Sequence, residues 1–253
     1  FSGHSTILER NMKKLGVGEE EVKRELTRRQ TVLDWMTCKG IRRYTEVANV
    51  IREYYANPDR VFKYCNTNYV LLALIVEKVT GKDFPTFMQE TIFQPLHMTN
   101  TYIFNTKTID KYTPSYNARM QPYRIEKYDC IYGDKNVYST VRDLYLWDKA
   151  LTEGTFLSPN TLEMAYQPKS PTNKYFHNYG LGWRILVKPN EEKLIYHNGW
   201  WHGNNTSFYR FIKENMTIVI LGNRFTNAVY HQAPVIYSIV KGVPVIKGFD
   251  TEE

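Results

Sequence analysis

Two short stretches of the sequence place side chains that can do chemistry beside turn residues. The first is FKYCNTNYV, in which Tyr64 and Asn66 flank a small residue immediately before a long apolar run. A tyrosine with a shifted pKa can carry a proton, and an asparagine can hold a polar group through both a donor and an acceptor. The same residues also suit a structural role, with Asn66 or Thr67 as a helix N-cap and Tyr64 packed as a hydrophobic staple. This stretch alone leaves both interpretations open.

The second stretch is YHNGWWHGNN, residues 196–205, which follows an apolar run typical of a strand. His197 can donate a hydrogen bond to a carboxylate or share a proton, and Gly199 allows a ligand to approach the backbone closely. The adjacent tryptophans, beginning at Trp200, are costly at a strand end unless apolar groups cover them. A β-bulge with aromatic core residues is the structural alternative, and this stretch alone does not exclude it.

The elements that must position these residues divide the sequence into two parts. Residues 16–56 have the pattern of polar helices, and the apolar run from Tyr69 to Val79 predicts a helix that Gly81 ends. The segment DFPTFMQETIFQPL predicts a second short helix, residues 100–135 have the composition of surface loops, and STVRDLYLWDKALTEG predicts a further helix. The helical part thus covers about residues 1–176.

After residue 177 the composition changes to short runs of β-branched and aromatic residues: YGLGWRILV, KLIYHNG, NTSFYRFI and MTIVILGN. Turn residues separate these runs, and KEN at 213–215 has the pattern of a hairpin connection. The segment AVYHQAPVIYSIVKG then predicts a closing helix near residue 246. Helices followed by consecutive antiparallel strands and a last helix indicate an α+β fold, with an antiparallel sheet flanked by helices and a helical region beside it.

Composition excludes several classes of function. The 253 residues carry a formal net charge of +7, but the basic residues cluster mainly near the start and do not form an aromatic-interleaved stripe, so no nucleic-acid partner is predicted. The three cysteines, Cys38, Cys65 and Cys130, are widely spaced and do not form a metal-ligand pattern, so we expect no metal and no other cofactor. No apolar run is long enough to span a membrane, and no signal peptide opens the sequence.

Several motifs in a fixed order resemble the serine β-lactamase and penicillin-binding-protein superfamily, in particular its class C-like branch of esterases and D-amino-acid peptidases. The segment YCNTNYVLLALIVEKVTGKDFPTFMQETIFQPLHMTNT matches that branch's Tyr-x-Asn element and the helices after it. KNVYSTVRDLYLWDKAL, the strand YGLGW and the hairpin SFYRFIKENMTIVILGN match later landmarks. The family's Lys-Thr-Gly strand, often His-x-Gly in this branch, matches His197-Asn198-Gly199. The resemblance runs from about residue 41 to residue 245.

The resemblance implies a role for each matched residue. In the family, a serine attacks an acyl carbonyl and a lysine three residues later takes its proton. Tyr64 would relay that proton toward the leaving group, and Asn66 would hold the lysine or the substrate amide. His197 would face the substrate as a donor, and the backbone N–H of Trp200, just after Gly199, would form half of the oxyanion hole. The expected substrate is a β-lactam, a D-amino-acid peptide or an ester, and the family implies a periplasmic or extracellular location.

The family's Ser-x-x-Lys motif, which should precede Tyr64, is missing from the sequence upstream of that residue. One formal match, Ser238 to Lys241, falls in the predicted closing helix, where a lysine simply complements the helix dipole. We therefore expect a single β-lactamase-like domain over residues 1–253 that lacks its N-terminal part, with the nucleophile on a preceding segment. Two alternatives stay open: an inactive homologue that binds peptide or peptidoglycan, and a different serine that serves as the nucleophile.

Overall fold

A computed structural model describes residues 64–169, 178–187 and 193–245 of the protein. These residues all belong to the compact unit Pro58–Glu253, and the fold is described for that unit alone. The polar helices expected over residues 16–56 lie outside the described residues. Within the described part, no helix is long and apolar enough to cross a membrane.

The centre of the unit is a five-stranded antiparallel sheet whose strands follow one another in chain order, β3-β4-β5-β6-β7. The register pairs Tyr196 of β5 with Tyr209 of β6, and Tyr209 with Ile218 of β7. A second, two-stranded sheet joins β1 to β2. The strands are β1 (Tyr102–Ile103), β2 (Val137–Tyr138), β3 (Asn178–Tyr179), β4 (Arg184–Val187), β5 (Lys193–Trp201), β6 (Asn204–Phe211) and β7 (Met216–Gly222). This meander confirms the predicted α+β class.

The helices take most of the positions that the sequence predicts. The α-helices are α1 (Asn66–Thr80), α2 (Phe84–Met88), α3 (Val141–Thr152), α4 (Pro159–Ala165) and α5 (Ala228–Lys241). A π-helical turn (Gln89–Phe93) continues α2, and two 3-10 helices (Thr106–Lys111 and Lys127–Cys130) interrupt the loops before β2. Gly81 ends α1 as predicted, with φ of 70° and its N–H donating to Glu77 O. Thr140 caps α3, because its side chain accepts a hydrogen bond from the N–H of Asp143.

The two faces of the large sheet pack against different helices, because strand side chains alternate between faces. One face carries Tyr196, Tyr209 and Phe211, which pack against Ala233 and Tyr237 of α5. The other face carries Ile185 and Ile195, which pack against a cluster from α3 and α4. This cluster consists of Leu151, Leu162 and Tyr166. Since the parity of β5 places His197 with Ile195, the histidine lies on the α3 and α4 side.

A buried arginine links α3 to the face of the sheet that carries His197. Arg210 of β6 is 2% exposed; its Nε donates to Asp148 of α3 and its Nη2 donates to the hydroxyl of Thr152 at 2.8 Å. Its Nη1 donates to the hydroxyl of Tyr166. A buried cation is tolerated only when it is paired and hydrogen-bonded, and this network meets both conditions. The network therefore fixes the helices that flank the candidate site.

The structure corrects three local predictions. YGLGW is not one strand but a tight hairpin between β3 and β4, closed by the N–H of Gly180 donating to Trp183 O at 2.8 Å, with Gly182 at φ of 81°. The pairing of β5 with β6 runs without interruption from Leu194 to Trp201, so the bulge considered for this stretch is absent. The loops over 100–135 are also less superficial than expected, because the side chains of Phe104, Ser115 and Asp129 are buried in them.

Candidate active site

Tyr64 lies immediately before α1, and its ring contacts the sheet. The centroid of its ring is 5.7 Å from that of Tyr179 of β3, in an edge-to-face arrangement, and 6.4 Å from that of His197. The guanidinium carbon of Arg184 lies 5.7 Å from the Tyr64 ring centroid. The structure thus brings together Tyr64 and His197, which lie 133 residues apart in the sequence and which the sequence predicts to share a site.

Tyr64 is half exposed, and its hydroxyl is protonated at neutral pH. Desolvation by its surroundings raises the pKa of the phenol, and the positive charge of Arg184 opposes that effect. The negative charge of Asp134 raises the pKa further. A hydroxyl in this state can donate a proton or relay one, but it does not act as a phenolate base.

The start of α1 differs from the structural alternative considered for this stretch. Cys65, rather than Asn66 or Thr67, occupies the N-cap position, and no side chain forms a capping hydrogen bond there. Asn66 is the first helical residue, two positions after Tyr64 and partly exposed. The Asn66 amide is therefore not used to cap the helix, which leaves it compatible with a binding role.

His197 is held by hydrogen bonds at both ring nitrogens. Its Nδ1 lies 2.7 Å from the carbonyl oxygen of Asn198, and its Nε2 lies 2.9 Å from the hydroxyl of Tyr179. Burial lowers the pKa of His197 to about 4; the hydrogen bond to Asn198 opposes that effect and the charge of Arg184 adds to it. The ring is therefore neutral at neutral pH and does not supply a positive charge to the site.

Gly199 and Trp200 continue β5 beyond His197. A Cβ added to Gly199 would lie 2.4 Å from Thr206 Oγ1, so a larger residue here would have to displace the Thr206 side chain of β6. The indole of Trp200 is 70% exposed, and its Nε1 donates to His202 O at 3.0 Å. Because side chains alternate along the strand, this indole points to the face opposite the His197 ring, and only the Trp200 backbone is suited to the predicted role.

One edge of β5 is open beside these residues. Strand β4 pairs with β5 from Lys193 to Tyr196 only, where Tyr196 faces Arg184. From His197 to Trp201, β5 pairs with β6 alone among the strands that the structure describes. Apart from Asn198 O, which already contacts His197 Nδ1, backbone groups on such an edge can pair with an extended ligand, and an N–H there can donate to the oxygen of an acyl group.

Two residues of this cluster were not predicted from the sequence. Tyr179 opens the YGLGW motif, and its hydroxyl lies 2.9 Å from His197 Nε2. Arg184 begins the strand after that motif. The Nε of Arg184 is buried without a hydrogen-bond partner, and no carboxylate among the described residues forms an ion pair with this guanidinium. A signal was available, because Arg184 is the only charged residue in the run YGLGWRILV.

The formal Ser-x-x-Lys of the sequence lies away from this cluster, in the closing helix. Ser238 is 6% exposed, and its hydroxyl donates to Pro234 O at 2.9 Å within α5. Lys241 occupies the last turn of the same helix, before Gly242. This serine hydroxyl therefore fills an internal hydrogen bond of the helix, as the sequence interpretation expected of a structural residue.

Comparisons with known proteins show the family to which the chain belongs. The beta-lactamase family model matches residues 33–237. Penicillin-binding protein 4* of Bacillus subtilis is 30% identical over 220 residues, which cover 81% of this chain and 46% of that protein. A putative penicillin-binding protein of the same organism, PbpX, is 30% identical over 66% of this chain and 41% of its own length. The chain thus spans less than half the length of these two relatives.

Solved structures show the same fold. An octameric penicillin-binding protein homologue from Pyrococcus abyssi superposes with a TM-score of 0.65 at 23% identity, over 76% of this chain and 45% of that one. A D-stereospecific amidohydrolase from Streptomyces superposes with a TM-score of 0.58 at 22% identity, over 73% of this chain and 56% of that one.

Proposed function

Because the chain belongs to the beta-lactamase family, we propose that Tyr64, His197 and the open edge of β5 belong to the acylation site of a serine hydrolase. The observation that carries the proposal is the convergence of Tyr64 of the Tyr-x-Asn element with His197 of the His-x-Gly strand, at a ring separation of 6.4 Å. In the proposed reaction, the serine of a Ser-x-x-Lys motif forms an ester with the acyl group and water then hydrolyses it.

Among the described residues, no serine and lysine of such a motif lie in this cluster. We infer that they are supplied by polypeptide outside the 253 residues, packed next to Tyr64. Tyr64, kept protonated by desolvation, would pass a proton to the leaving group, and Asn66 would hold the lysine or the substrate amide. The backbone N–H of Trp200 would donate to the oxyanion from the open edge of β5.

The charges of the cluster favour a substrate that carries a carboxylate. His197 is neutral and its Nδ1 already contacts Asn198 O, so it offers a carboxylate neither charge nor a free donor. The guanidinium of Arg184, which forms no ion pair with a described carboxylate, would provide the positive charge and the forked donors that a carboxylate needs. A peptide that ends in a D-amino acid with a free carboxylate fits this requirement, and the likeness to a D-stereospecific amidohydrolase supports a D-amino-acid substrate. Because the chain belongs to the beta-lactamase family, we also propose that the protein acts in the periplasm or outside the cell.

The proposal can be tested with two forms of the protein. The 253-residue chain is expected to bind an acylated D-amino-acid peptide without hydrolysing it, whereas a longer polypeptide that includes Ser-x-x-Lys is expected to hydrolyse the peptide. Substitution of that serine by alanine in the longer form serves as the control. Binding without hydrolysis in the longer form would favour the alternative function, an inactive homologue that binds peptide or peptidoglycan.

A further inference from the structure

The His197 ring lies between two fixed partners, and their chemistry determines where its proton resides. A carbonyl oxygen can only accept a hydrogen bond, so the 2.7 Å contact with Asn198 O requires a proton on Nδ1. In a neutral ring Nε2 is then an acceptor, so the hydroxyl of Tyr179 must donate across the 2.9 Å contact. Only one arrangement of protons satisfies both contacts of a neutral ring.

The protonation states of the two groups agree with that arrangement. Burial is the largest cause that lowers the pKa of His197, to about 4, and burial also raises the pKa of Tyr179 above its ordinary value. At neutral pH the phenol therefore keeps its proton and the imidazole remains uncharged, as the donation from Tyr179 to His197 requires.

A third hydroxyl extends the chain of hydrogen bonds into the helical part. The hydroxyl of Tyr69, in the first half of α1, lies 3.4 Å from that of Tyr179. Since Tyr179 already donates to His197, its oxygen accepts from Tyr69, and every donor along the chain points in the same direction. This chain connects α1, which begins beside Tyr64, to β3 and β5 of the sheet.

We propose that Tyr179 is a positioning residue that keeps the His197 ring neutral, protonated on Nδ1 and unavailable as a proton acceptor. The ring of Tyr179 also packs edge-to-face against both neighbours, with interplanar angles of 77° to Tyr64 and 86° to His197. Because of Tyr179, the two groups differ in their chemical role. The Tyr64 hydroxyl remains available for proton transfer, whereas the His197 ring does not. This role in turnover rests on the proposed hydrolase function, whereas the hydrogen-bond arrangement does not.

Nitrogen-15 NMR of the histidine side chains in the 253-residue chain tests the inference, with His197→Gln to assign the resonances. In the unsubstituted protein we expect a neutral ring at pH 7 with the proton on Nδ1. Tyr179→Phe removes the donor to Nε2, so the Nε2 resonance should shift and the protonation constant of the ring should rise roughly 3- to 10-fold. Nδ1 should stay protonated in this variant because Asn198 O remains its partner.

Tyr69→Phe is the matched control, since it removes a hydroxyl from the same chain but leaves the contact between Tyr179 and His197 in place. We expect the His197 resonances of this variant to stay close to those of the unsubstituted protein. A charged ring at pH 7, or a proton on Nε2, in the unsubstituted protein would overturn the inference whether or not any variant folds. Unchanged Nε2 resonance and protonation in a folded Tyr179→Phe protein would also overturn it. Neither the Nε2 resonance nor the protonation state of the ring requires turnover. An unexpected NMR result would therefore overturn the role of Tyr179 without deciding the proposed hydrolase function.

Discussion

Replacing Arg184 by glutamine should remove the ability of the site to distinguish a carboxylate from an uncharged group. The guanidinium lies 5.7 Å from the Tyr64 ring centroid and also lowers the pKa of His197, so its charge acts directly on the cluster. Among the described residues, no partner satisfies the buried Nε of Arg184. The side chain as a whole is half-buried, and a ligand carboxylate at its terminal Nη donors would form a charge-assisted hydrogen bond, which is the physical basis of the expected affinity.

The size of the effect follows from the strength of one such contact. A hydrogen bond to a charged group contributes roughly 1.5–3 kcal/mol after the exchange with water. Since about 1.4 kcal/mol changes an equilibrium constant tenfold, Arg184→Gln should weaken binding of a ligand with a free carboxylate by roughly 10- to 150-fold. The same ligand as its primary amide should lose almost nothing.

Titration calorimetry of an acyl-D-amino acid and its amide measures both values on the same preparations. Arg184→Lys keeps the charge but not the fork, so it should retain part of the preference for the acid. Lys193→Gln is a matched control, because that lysine begins β5 and already pairs with Glu163 at 2.7 Å. An equal loss of affinity for acid and amide in Arg184→Gln, or no loss for either, would refute the argument.

Three further predictions concern the remaining residues of the cluster. Tyr64→Phe in a polypeptide with the complete motif should lower turnover by roughly 10²- to 10⁴-fold without changing the melting temperature; unchanged turnover would remove Tyr64 from the relay. The pKa of His197 is lowered to about 4 in the folded state, so the unfolded state binds more protons below about pH 6.5. The free energy of unfolding should therefore fall by up to about 3 kcal/mol as the pH drops from about 6.5 to 4. Denaturant titrations of His197→Gln should lack that component. Gly199→Ala should lower the free energy of unfolding by about 1–3 kcal/mol, because the new Cβ would lie 2.4 Å from Thr206 Oγ1. The double variant that also carries Thr206→Ala should recover most of that loss.

The order of elements could be predicted from the sequence because the pattern of each element is local. Short runs of β-branched and aromatic residues between turn residues predict β6 and β7, and Gly81 marks the end of α1. Tyr64 and His197 could be paired only through the resemblance to a family. No local pattern predicts that a residue before α1 contacts a residue of β5.

The partners of the site residues could not be predicted, because they depend on how distant elements pack. YGLGW has the composition of a strand, and its hairpin arises from the positive φ of Gly182 and from the packing of Gly180 against Ala165. Without that hairpin there is no reason for Tyr179 to meet His197. The neutral state of His197 is likewise a consequence of burial, which the sequence alone does not indicate.

Peptide mapping after reaction with a fluorescent penicillin or a fluorophosphonate identifies the serine that acts as the nucleophile. We expect no adduct on the 253-residue chain. We expect one stoichiometric adduct on the serine of Ser-x-x-Lys in a longer polypeptide, formed more slowly when Tyr64 is phenylalanine. A stoichiometric adduct on Ser238, or on any other serine of the 253 residues, would contradict the account and would identify a different nucleophile.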